Sequence, residues 1–134
     1  MFAAMLFLIS SAALTQFAVY YWRAALSGVA AQPISARVLD PVNAENGRLT
    51  GEHFPVLAEL HDLTPELYYP QSGLGIVRAY YAFVHAGDHL FGKHFPQFAA
   101  WSNSERLVCA RYAAVQIDRR LQANLALSAS LRSC

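Results

Sequence analysis

From Met1 to Trp22 the chain runs through apolar and small residues without a single charge. Phe2–Trp22 reads FAAMLFLISSAALTQFAVYYW. As a helix these residues extend roughly 31 Å, which matches a hydrocarbon thickness of about 30 Å. Ser10, Ser11, Thr15 and Gln16 are polar but uncharged, and Tyr20, Tyr21 and Trp22 are followed at once by Arg23. An aromatic belt and then a charge is the order expected where a helix leaves the apolar core. The pattern predicts one transmembrane helix that continues as a helix through Ala24–Ala31 and ends before Pro33. A cleaved signal peptide is the rival, with Val29-Ala30-Ala31 as the cleavage site, but no basic stretch precedes the apolar run.

Residues 32–50 hold two prolines and an Asn-Gly pair and keep no period, so they read as a linker. A short helix is expected from about Glu52, with Pro55 in its first turn, where a missing N–H costs little. Phe54, Leu57 and Leu60 fall on one face of it, with Leu63 close by. Thr64-Pro65-Glu66 suggests a cap and a further turn, and Tyr68–Gly75 a loop. Leu74–Phe91 is expected as a second helix, with Ile76, Val77, Tyr80, Phe83, Val84, Gly87, Leu90 and Phe91 as its apolar face and Gly92 as its end. The last helix is expected to start at Ser102, where Ser102 and Glu105 have capping-box spacing. Its seam would be Leu107, Ala110, Ala114, Ile117 and Leu121, with the pattern running on towards Leu131. Alanine on that seam implies close packing.

These elements define an all-α chain. Residues 1–31 form a membrane anchor and its extension, 32–50 a linker, and 51–134 a small bundle of about three helices. About 84 residues make a small core. Phe54, Tyr68, Tyr69, Tyr80, Tyr81, Phe83, Phe91, Phe95, Phe98, Trp101 and Tyr112 are more aromatic side chains than three helices easily bury. The domain is therefore expected either to lie on a membrane surface or to pack against another protein.

Composition sharpens this picture. Hydrophobic residues make up 55% and charged residues 14% of the chain, and the net charge is +1. Without clustered Lys and Arg to neutralise phosphates, nucleic acid is not an expected partner. Arg23 and Arg37 follow the apolar segment closely and no Lys or Arg precedes it, which predicts an outside N-terminus and a cytoplasmic domain. Cys109 and Cys134 would be separated by roughly 33 Å of helix up to Leu131, beyond disulfide reach, and two free thiols suit a reducing compartment.

Candidate chemistry is sparse. Ala4, Ser11, Thr15 and Ala18 follow one another at spacings of seven, four and three, and so share a stripe of the membrane helix. Small residues let a partner helix approach and hydroxyls can bond across the contact; Gln16, an amide in lipid, also favours a partner. His85 and His89 are at i and i+4, a spacing that can chelate a metal, with Asp88 as a third ligand. The Glu of a metalloprotease helix is absent, and Arg78 on the same face disfavours a cation. No Gly-flanked serine, phosphate loop or carboxylate pair suggests catalysis.

The expectation is a non-catalytic accessory or structural subunit of a larger membrane complex. It would contact lipid and other subunits, cover a cytoplasmic face, and carry no predicted cofactor. The alternatives are a metal- or haem-binding subunit using His85 and His89, and a membrane-tethered enzyme or adaptor.

Overall fold

A computed structural model describes residues 1–34, 36–39, 48–64 and 73–134. Among these there is no strand. The helices are α1 (Phe2–Ala30), α2 (Ala36–Leu39), α3 (Phe54–Leu63), α4 (Leu74–Phe91) and α5 (Pro96–Arg132), with a 3-10 turn at Gly51–His53 ahead of α3. The all-α reading is correct, and α1 is long and apolar enough to cross a membrane, with a mean hydropathy of 1.9. The turn expected at Pro65–Glu66, the loop from Tyr68 to Ser72 and the centre of the linker, 40–47, lie outside the described residues.

α5 is the hub. Every other described element packs on it, whereas α3 and α4 meet mainly through long side chains, Arg78 on Ala58 and Asp62 and Tyr81 on Phe54. Its buried residues, from Ser102 to Arg120, are therefore spread around most of its circumference rather than along one seam. Cys109, Ala110, Ala113, Ala114 and Ile117 are fully buried and meet Leu57 of α3, Leu74 and Val77 of α4 and Leu26 of α1. Alanines at the centre let four elements approach one helix. The larger side chains from outside fill the space, each contributing about 1.5–3 kcal/mol on burial.

Three expectations need correction. The Ser102–Glu105 pair does not cap α5, which begins six residues earlier at Pro96 with Phe95 extended before it. Proline at the first helical position was the true start signal. Ser102 and Glu105 are instead buried mid-helix. A capping box does form at Thr50. There the His53 Nδ1 accepts the Thr50 backbone N–H at 2.9 Å, which fixes the ring proton on Nε2. Second, the segment read as a linker supplies part of the core, because Val38 on α2 is completely buried.

The third correction concerns α4. Its bounds are as expected, but Ile76, Phe83 and Leu90 are 63%, 74% and 65% exposed. Phe91 is exposed as well, as is Leu63 at the end of α3. α4 buries only the narrow line Leu74, Val77 and Val84 against α5. Ile76, Phe83 and Leu90 are left uncovered by the other described elements, so part of a face legible as apolar points outward.

Candidate functional site

The most strongly built polar site joins the apolar helix to the rest of the molecule. Glu105 lies on the buried side of α5, one turn before Cys109. One of its carboxylate oxygens, Oε1, is 2.6 Å from the Arg23 guanidinium of α1. The other, Oε2, accepts a 2.7 Å hydrogen bond from the Tyr80 hydroxyl of α4. Trp22, the neighbour of Arg23, sets its ring edge-on to Tyr80 at 6.0 Å. Burial and the adjacent carboxylate together push the Tyr80 phenol well above its ordinary range. It therefore stays a hydrogen-bond donor at any physiological pH.

Lower down, α1 is fastened again. The Arg111 Nε–H donates to the carbonyl of Ala30 at 2.8 Å, satisfying one of the orphan acceptors at the end of α1. Arg119 reaches Gln32 at 2.8 Å. Leu26 and Ala30 are buried between these points. Sequence reading gave Arg23 a role in orientation only and took Glu105 for a cap. The available signal was a lone carboxylate on the same line of α5 as Cys109 and Ala113.

A second polar group closes α3. Arg120 donates to the carbonyls of His61 and Thr64, at 3.1 and 3.2 Å. Arg78 donates to the Ala58 carbonyl and to Asp62, each at 2.7 Å. Burial lowers the His61 pKa, and the nearby Arg120 charge lowers it further. The Arg78 hydrogen bond holds the Asp62 carboxyl below its ordinary value.

The sequence-predicted stripe on α1 is only partly gathered. Ser11, Thr15 and Gln16 line an open groove of about 870 Å³ along α1, together with Leu8, Tyr20 and Arg23; Ala4 and Ala18 are exposed on the helix but do not line it. The Ser11 hydroxyl donates to the Leu8 carbonyl at 3.0 Å and the Thr15 hydroxyl to the Ser11 carbonyl at 2.8 Å. With their protons turned back onto the helix, these hydroxyls offer a neighbour lone pairs and small size rather than donors.

His85 and His89 are both exposed on α4. The His85 ring lies parallel to Tyr81 at 6.0 Å, and Tyr81 stacks on Phe54 at 4.3 Å. Tyr81 also donates to the Gly51 carbonyl at 3.1 Å, so His85 is the outer rung of a ladder that ties α4 to the 3-10 turn. Asp88, expected as a third ligand, faces Arg106 of α5 at 3.5 Å. Arg78, expected to repel a cation there, is engaged with α3 instead. Among the described residues no three His, Cys, Asp or Glu side chains gather to hold a metal ion.

Cys109 is buried and Cys134 exposed, and both are free. Burial, and then the Glu105 charge, push the Cys109 thiol up to about 12. It is therefore packed as an apolar group and not poised as a nucleophile. Comparison with protein families, curated proteins and solved structures finds no match to this chain.

Proposed function

We propose that this protein is a non-catalytic accessory subunit of a larger membrane complex, held in the bilayer by α1 and covering a cytoplasmic face of the assembly with its helical domain. The observation that carries the reading is the joint at Glu105. A buried carboxylate shared between Arg23 and Tyr80 packs the end of the apolar helix onto the domain, unlike a helix joined to it by a loose tether. Glu105, Tyr80, Cys109 and Arg120, all buried or half-buried, are occupied in structural bonds or packing. Retention of α1 as an anchor is favoured over signal cleavage by the same contacts: removing it would strip Leu26 and Ala30 from the core and leave Glu105 without Arg23. Arg23 and Arg37 favour a cytoplasmic domain. The groove along α1, with Gln16 in it, is the face suited to a partner helix.

The test is purification of the tagged full-length protein from its native membranes in mild detergent, with co-eluting proteins identified by mass spectrometry. Stoichiometric recovery with a multi-subunit complex is the expected result. Recovery of the protein alone would overturn the reading.

A further inference from the structure

Arg23 meets Glu105, Ala30 meets Arg111 and Gln32 meets Arg119. Residue numbers rise together along both helices, so α1 and α5 run parallel. The first residues of α5 therefore point the same way as the apolar run of α1, on the membrane side of the Arg23–Glu105 joint. Pro96 lies nine positions before Glu105, or roughly 13 Å along the axis, and Trp101 roughly 6 Å. A headgroup layer is about 5–7 Å thick, and interfacial helices sink about 5–10 Å into the boundary below it.

At that level the described residues expose a set of large apolar side chains, with His85 and His89 on the opposite face of α4. Phe83, Leu90, Phe91 and Phe95 are exposed. Phe98 bridges the hairpin, with its ring 6.2 Å from Phe91 and 5.4 Å from Trp101. Its edge also lies 3.2 Å from where a Cβ on Gly87 would sit, so the ring packs close against the α4 backbone. Lys93 stands in the turn between α4 and α5, and its long apolar stem allows the ammonium to return to headgroup phosphates. Among the described residues the carboxylate near the tip is Asp88, which is paired with Arg106.

We propose that the tip of the α4–α5 hairpin is a second membrane contact, in which Phe83, Leu90, Phe91, Phe95 and Trp101 lie in the lipid interface beside α1. This rests on α1 being the anchor. Lipid is the occupant because the tip points into the layer that α1 itself occupies, and because aromatic rings next to a cation suit a headgroup boundary.

The chain has two tryptophans, Trp22 and Trp101. The experiment reconstitutes the full chain and W101F into vesicles of brominated phosphatidylcholine with phosphatidylglycerol, and excites tryptophan selectively. The variant reports Trp22, and the difference from wild type reports Trp101. Loss of Trp101 emission comparable to that of Trp22 is the expected result. Quenching of Trp22 with Trp101 unquenched, and open to aqueous iodide, overturns the proposal while leaving the anchor intact. If neither is quenched, the anchor reading falls and this proposal with it.

Discussion

Arg23 and Glu105 are 2.6 Å apart, and they join the helix that is apolar enough to cross a bilayer to the hub of the folded domain. Almost all of the Glu105 side chain is buried, whereas 49% of the Arg23 side chain is exposed. The pair is thus asymmetric. Glu105 depends on its partners to replace lost water, and Arg23 does not.

That asymmetry predicts unequal effects of mutation. Glu105→Ala removes the acceptor of Tyr80 and opens space in the core, and should cost about 2–4 kcal/mol. Arg23→Ala leaves the buried Glu105 carboxylate with Tyr80 as its remaining partner, and should cost more, about 3–5 kcal/mol. Thermal unfolding in detergent micelles, completed to a double-mutant cycle, checks both. Equal losses in the two single variants would contradict the geometry.

The cysteines offer a reading of orientation. A membrane-impermeant maleimide should label Cys134 in inside-out vesicles and leave it untouched in intact cells, if the domain is cytoplasmic. Cys109 should react in neither preparation until the protein is unfolded, being buried with its thiol held near 12. Labelling of Cys134 from outside would reverse the proposed orientation.

His61 should make stability fall on the acid side of neutrality. Its folded pKa lies below the ordinary 6.5. Above that value neither the folded nor the unfolded chain carries the proton. As the pH drops through 6.5 the unfolded chain takes one up and the folded chain does not, so stability declines until the folded pKa is reached. His61→Gln should flatten that slope, measured as midpoint against pH. Asp62, held below 3.8 by Arg78, adds a loss only at lower pH, as its carboxylate becomes protonated.

Gly51 should not accept a side chain. A Cβ there would lie 2.5 Å from the Arg106 Cβ and 3.1 Å from its backbone, since the 3-10 turn sits flush on α5. Gly51→Ala should cost about 1–3 kcal/mol, from the shift of the turn away from the helix. Gly28, which has nothing within 4 Å, is the control and should change little beyond helix propensity.

The course of α1, the bounds of α4 and the alanine-rich centre of α5 were legible in the sequence because each depends on local pattern. Twenty-one uncharged residues, a period near 3.6 and a glycine stop suffice for them. The inward face of α4 was not legible. Periodicity shows that Ile76, Phe83 and Leu90 share a side of the helix, but not which side meets α5. The start of α5 was misread because a Ser–Glu pair at capping spacing also describes two polar residues on one buried line. The joint itself was out of reach, since it needs residues from three helices brought together by packing.

α5 is also longer than any other described element. Burial along it stops at Arg120, while the helix continues to Arg132. Measured from Glu105, its far end stands roughly 40 Å along the helix axis from the joint with Arg23. With α1 in a bilayer, as proposed, the final turns of α5 would stand at a fixed height above it, and the protein would serve as a ruler as well as an anchor.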